Sequence, residues 1–230
     1  MFRLFLIAFF TALSSAQEVK PAITEIGTDQ LKIGKITLNQ KTREISFGAG
    51  VNMNEGLIEF ALVLTKGKVH EALFLTDISP TNLNIALKLL RYQESPELFE
   101  IIDKDYNRTG KFPKVPEKQK KAARLEIEVS WTEGENDEVK KSESLNNLIL
   151  HAVTEKPMLP GPWLNTGSYL FEGKFRPETG GDLIAIYTAE PAMINYPGKD
   201  RTNDDVWLPN KKRLPSLDTA VTITIKPVQP

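Results

Sequence analysis

The chain contains no cysteine. That excludes disulfide bridges, thiolate zinc sites, iron–sulfur clusters and cysteine nucleophiles, so stability has to come from packing. Histidine is nearly as scarce. Only His70 and His151 are present, which leaves few routes to a histidine-rich metal centre. An excess of either charge is missing too. Lys and Arg total 29 against 30 Asp and Glu, and the signs are interspersed, so there is no nucleic-acid footprint. Beyond residue 13 no apolar run reaches the length of a membrane-spanning helix. There is no G-x-S-x-G elbow, no P-loop, no dinucleotide fingerprint and no internal repeat.

What is present begins with a leader pattern. Arg3 precedes an apolar run from Leu4 to Leu13, and Ser14-Ser15-Ala16 puts small residues at the −3 and −1 positions of a cleavage site. The pattern predicts a secretory signal peptide over 1–16, cut after Ala16. The apolar run is about half the roughly 20 residues a membrane anchor needs, and no cysteine follows it to carry a lipid. The expectation is therefore an exported protein, periplasmic or secreted and not a lipoprotein. Residues 17–230 suit a single domain with a real core.

Strand patterns dominate that domain. Leu31–Leu38 and Glu44–Val51 alternate around the polar turn Asn39–Arg43, which predicts a first hairpin. Leu57–Leu64 and Val69–Leu75 flank Lys66-Gly67, which predicts a second. In Arg124–Trp131, Leu125, Ile127, Val129 and Trp131 face one way while Glu126, Glu128 and Ser130 face the other, the pattern of a half-buried strand. Leu183–Tyr187 and Ala220–Lys226 read as later strands. One helix stands out: Ser79 is a good N-cap, Pro80 suits the first helical position, and Leu83, Ala86, Leu87 and Leu90 form a core-facing stripe. A short helix is expected at Pro96–Ile102. Residues 103–123 read as a polar, exposed insertion, with Lys118-Gln119-Lys120-Lys121 a solvated face. The expected fold is α+β and β-rich, with mixed or antiparallel sheets and one principal helix packed on the sheet.

The second hairpin raises a chemical question. A two-residue turn at Lys66-Gly67 would pair Val63 with His70 and Leu62 with Glu71, leaving Glu71 the only polar group on an otherwise apolar face. An unpaired carboxylate there would cost several kcal/mol. It must meet a cation or metal, or stay protonated. Glu71 is thus either a proton carrier or ligand, or a buried hydrogen-bonded acid that pins the fold. His70 is either a metal ligand or general base, or an ordinary strand histidine. A one-residue slip exchanges the two.

Other loops carry weaker signals. Asn52-Met53-Asn54-Glu55-Gly56 offers oxygens to a hard cation, but Asx-turn chemistry explains the same residues. Asp103-Lys104-Asp105-Tyr106-Asn107 imitates the start of a calcium loop, which Arg108 and Lys114 then spoil. Asn107-Arg108-Thr109 fits a glycosylation sequon. Asp204 and Asp205 are either a metal-binding pair or a capped turn. Trp163, after Pro160-Gly161-Pro162, is more often a core plug than a ligand platform.

The segments N-M-N-E-G-L-I-E-F at 52–60, K-V-H-E-A at 68–72 and T-D-I-S-P at 76–80 resemble the YdjY-like domain family of exported bacterial proteins. The pieces P-G-P-W at 160–163, T-G-S at 166–168, I-N at 194–195 and N-D-D-V-W at 203–207 are similar to that family as well. The resemblance spans most of residues 17–230, with 103–123 as an insertion. It implies a bacterial, exported protein and places Glu55, His70, Glu71, Asp204 and Asp205 in family motifs. It supplies no catalytic residues. The ferredoxin-like label given to some members cannot extend to a cluster here, because there is no cysteine.

Three functions fit this sequence. The leading one is a non-enzymatic binding or interaction module of the cell envelope. A metal-assisted hydrolase using His70, Glu71 and Asp204/Asp205 is the second, and a purely structural envelope protein the third. No cofactor is expected, save a divalent metal in the second case. Neither a nucleic-acid partner nor a membrane span is expected.

Overall fold

The computed structural model describes residues 22–134 and 139–228. The leader expected at 1–16 lies outside them. The chain begins with an antiparallel meander of β1 (Ile23–Gly27), β2 (Gln30–Ile33), β3 (Ile36–Asn39) and β4 (Glu44–Val51). The run 31–38, expected as one strand, instead turns at Gly34-Lys35 and folds back, with Leu31 opposite Leu38 and Ile33 opposite Ile36. The Asn39–Arg43 turn joins β3 to β4. There the Asn39 side-chain oxygen accepts from the Lys41 and Thr42 backbone N–H groups at 2.9 and 3.0 Å, an Asx turn.

β5 (Phe60–Leu64) and β6 (Ala72–Thr76) run parallel, with Phe60 beside Ala72 and Leu62 beside Phe74. This overturns the antiparallel hairpin read from Lys66-Gly67. Residues 65–71 form a short return crossover that ends in the 3-10 turn Val69–Glu71. Such a connection is short for parallel strands, and it lies close against a second glycine. Gly181 has φ +87°, and a Cβ added to it would sit 2.8 Å from the Gly67 Cα. Gly67 therefore marks a close backbone approach, not a hairpin apex.

Helix α1 (Pro80–Leu89) follows, with the Ser79 hydroxyl accepting from the Asn82 N–H at 3.3 Å and Leu83, Ala86 and Leu87 buried. The helix expected at Pro96–Ile102 is only a turn, closed by the Phe99 N–H on the Pro96 carbonyl at 3.0 Å. The stretch 103–123 is not a connection throughout, because α2 (Glu117–Ala123) occupies its end. The first part of that stretch is exposed. There the Asp103 carboxylate accepts from the Asp105 and Asn107 N–H groups, both at 2.9 Å, so backbone donors take the oxygen that the calcium-loop resemblance would offer an ion.

The remaining strands are β7 (Arg124–Glu133), β8 (Val139–Ser144), β9 (Ile149–His151), β10 (Lys156–Pro157), β11 (Trp163–Asn165), β12 (Leu170–Phe171) and β13 (Lys174–Phe175). After α3 (Arg176–Gly180) come β14 (Asp182–Ala185), β15 (Ile194–Asn195), β16 (Trp207–Pro209) and β17 (Ala220–Pro227). Eight strands close into a barrel in the order β4-β17-β7-β11-β15-β14-β5-β6, with β6 pairing back to β4. The ring is mixed: β5–β6 and β14–β15 are parallel and the other pairs antiparallel. The chain is β-rich, as the strand patterns predict, but closure of the sheet has no local marker in the sequence.

Alternation fills the barrel. Leu125, Ile127, Val129 and Trp131 of β7 and Val221, Ile223 and Ile225 of β17 point into one core with Ile45 and Phe47 of β4. β5 is buried along its whole length because both faces are covered. Leu62 and Leu64 join the main core, while Phe60 and Val63 pack with Ala72, Ala185 and Ala192. A continuous apolar run is what a strand buried on both faces requires. A separate three-stranded sheet, β10-β9-β16, stands beside the barrel. Among the described residues no helix is long and apolar enough to cross a membrane.

Candidate functional site

The parallel crossover moves both residues of the second hairpin. His70 and Glu71 lie in the 3-10 turn, not in a strand. The His70 side chain is 80% exposed and its Nε2 stands 3.9 Å from Glu71 Oε2. Glu71 is half-buried rather than facing the core, at 22% side-chain exposure, and no lysine or arginine forms an ion pair with it among the described residues. Its charge acts on other acids. Burial, reinforced by Glu71 and by Asp204, raises the Glu59 carboxyl above its ordinary value. Asp204 acts on Glu59, but no hydrogen bond or ion pair joins it to His70 or Glu71 among the described residues. No three His, Asp or Glu among the described residues are arranged to hold a metal ion.

The other candidates fall apart spatially. Glu55 is exposed, with Lys211 4.0 Å away. In the same turn, Asn52 donates through Nδ2 to the Val69 and Ala72 carbonyls at 2.6 and 2.7 Å, which ties residues 51–56 to the crossover. Asp204 and Asp205 are exposed. The Asp205 N–H donates to Asn203 Oδ1 at 3.1 Å, an Asx turn.

Among the described residues the buried acid is Asp182, the first residue of β14. Its side chain is 4% exposed, Lys68 Nζ lies 3.9 Å from Oδ1, and Oδ1 has no hydrogen-bond partner. Burial raises the Asp182 carboxyl above its ordinary value, against the opposing charges of Lys68 and Arg176. Lys68 also sits over the Phe60 ring, 4.4 Å from its centroid, a cation–π contact.

A built cavity occurs elsewhere, at the small sheet. It encloses about 440 Å³, within the usual range for small-molecule sites. Its wall is a single cross-strand row: Lys156 of β10 and Trp207 of β16 both lie opposite His151 of β9. Cross-strand neighbours share a face, so an ammonium, an imidazole and an indole stand side by side. Met158, Leu159, Val206 and Tyr196 supply apolar lining, and Lys199, Asp200 and Asn203 come from the loop after β15.

Aromatic contacts fix this wall to the barrel. His151 meets Trp207 edge-on at 5.1 Å between ring centroids, Trp207 meets Tyr196 edge-on at 5.6 Å, and Tyr196 tilts against Trp163 at 5.6 Å. Trp163 is fully buried and donates through Nε1 to Asn146 Oδ1 at 2.9 Å. Tyr196 is held from its far side by Gly198, where an added Cβ would collide with the phenol ring and its hydroxyl. The loop closes on Asp200, at φ +59°, whose carbonyl accepts from Trp207 Nε1 at 3.2 Å.

His151 is held at both nitrogens. The Thr154 N–H donates to Nδ1 at 3.4 Å, and Nε2 lies 3.3 Å from Asp200 Oδ2. In the neutral ring Nδ1 is therefore the acceptor, and Nε2 carries the proton and donates to Asp200. Neither nitrogen is left as a free base, and among the described residues no serine lines the cavity. Burial, with the Asp200 charge nearby, raises the Tyr196 hydroxyl above its ordinary value, so it stays a donor.

Sequence reasoning weighed His70 and missed His151, Tyr196 and Asp200. One signal was present. In N-D-D-V-W the cavity takes Asn203, Val206 and Trp207 and leaves the two acids in solvent. Searches of family models, of curated proteins and of solved structures find no match to the chain.

Proposed function

We propose that the protein is an exported, non-enzymatic binding module of the cell envelope, and that its ligand site is the cavity walled by Lys156, His151 and Trp207. The observation that carries this reading is the state of His151. Both ring nitrogens are engaged within the protein, so the most reactive side chain of the cavity serves as structure, while the apolar lining offers contact area. The leader pattern of residues 1–16 supports export to the periplasm or exterior. Kinship to the YdjY-like family is proposed on the motif residues alone. In this reading the fold is a β-rich α+β domain with α1 as its principal helix.

Calorimetric titration with naphthalenemethanol, a neutral flat apolar probe, tests the site. Leu159 is 66% exposed at the rim, so Leu159→Asp should leave the fold intact while placing a charge in the apolar mouth. Saturable binding to the wild-type protein that is lost in the variant is expected. Absence of saturable binding, or equal binding by the variant, would overturn the reading.

A further inference from the structure

The cavity is mostly apolar with two lysines in its lining, and this combination specifies the ligand. We infer that it takes a small apolar molecule ending in a carboxylate, with the apolar body against Trp207, Met158 and Val206 and the carboxylate between Lys156 and Lys199. The inference rests on the cavity being the binding site.

Four observations support it. Lys156 and Lys199 both line the cavity, and neither forms an ion pair among the described residues. Against these two lysines the lining sets one acid among the described residues, Asp200, whose Oδ2 is directed to His151, so the net charge facing a ligand is positive. Asn203 uses Oδ1 to accept from Asp205, which leaves its amide N–H₂ free to donate. Tyr196, whose hydroxyl is kept protonated by burial, makes no hydrogen bond through that hydroxyl within the protein among the described residues. A ligand carboxylate supplies the acceptors that these groups lack, and its attraction to two rim ammonium groups falls with added salt. A cationic ligand would meet the two lysines at the mouth.

The test compares naphthoate with naphthalenemethanol, the same apolar body with and without charge, by calorimetric titration of the purified protein at low salt. Naphthoate is expected to bind about tenfold more tightly, and added salt to narrow the gap. In the double variant Lys156→Gln/Lys199→Gln the ratio of the two affinities is expected to fall to about one. Equal affinity of the wild-type protein for the two probes would overturn the inference and leave the binding site standing. So would a preference that survives in the double variant. If neither probe binds, the binding-site reading itself fails.

Discussion

Asp182 is a carboxylate in a place that disfavours its charge. Oδ1 is buried without a partner, and Lys68, itself partly exposed, reaches only to 3.9 Å, too far for a hydrogen bond that would satisfy it. Its folded-state pKa lies above the ordinary 3.8. The fold therefore favours the neutral acid, so the associated stability is fully present below the unfolded value and is lost as pH rises through the folded one. Asp182→Asn removes that slope. Thermal melts of the two proteins are expected to approach one another in acid and diverge towards neutral pH. For a gain of about 1 kcal/mol, the variant should melt roughly 2–4 °C higher at pH 7. A wild-type protein that is the more stable at neutral pH would show that the Lys68 contact outweighs desolvation. The sequence pointed instead to Glu71, because an acid within an apolar pattern is visible in one dimension. Asp182 sits at the edge of its strand, and what buries it is residues from distant segments. His151 was illegible for the same reason: its partners Asp200 and Trp207 lie about fifty residues away.

At the scale of elements, local period was readable and strand direction was not. β7 alternates in sequence and in burial, and α1 begins at its Ser79-Pro80 signal, because both patterns are set within a few residues. Lys66-Gly67 has the composition of a hairpin turn, yet it serves a parallel crossover. The pairings around the two strands, β5 with β14 and β6 with β4, join distant segments, which no local pattern announces. The crossover in turn depends on Gly181. A side chain there would need φ near +87° and would press on the Gly67 backbone. Both the left-handed conformation and the backbone contact oppose a Cβ. Gly181→Ala is expected to cost about 1–3 kcal/mol, read as a lower urea midpoint at unchanged slope. An unchanged midpoint would mean that residues 65–71 shift freely, and that the crossover is not pinned where it meets α3.

At the scale of the whole molecule, a file of rings joins the barrel to the small sheet β10-β9-β16. The barrel is closed by distant pairings such as Gly50 with Leu75 and Val51 with Phe74, so its strands depend on one another. β9, β10 and β16 are too short to stand alone. One link to the barrel runs from His151 through Trp207 and Tyr196 to Trp163. The three tryptophans sample this arrangement, since Trp131 lies in β7, Trp163 in β11 and Trp207 in β16. If the file couples the two sheets, urea unfolding of the wild-type protein gives one transition, coincident by far-ultraviolet circular dichroism and by tryptophan fluorescence. Tyr196→Ala removes the middle ring, at a cost of about 3–5 kcal/mol for a large buried aromatic. The small sheet should then loosen first, so that part of the fluorescence change precedes the loss of barrel circular dichroism. Coincident transitions in that variant would mean that the rest of the shared core, with Ile149, Met158 and Val206 in it, holds the cavity wall to the barrel. Separated transitions in the wild-type protein would mean that the wall is already an independent unit, free to open without disturbing the barrel.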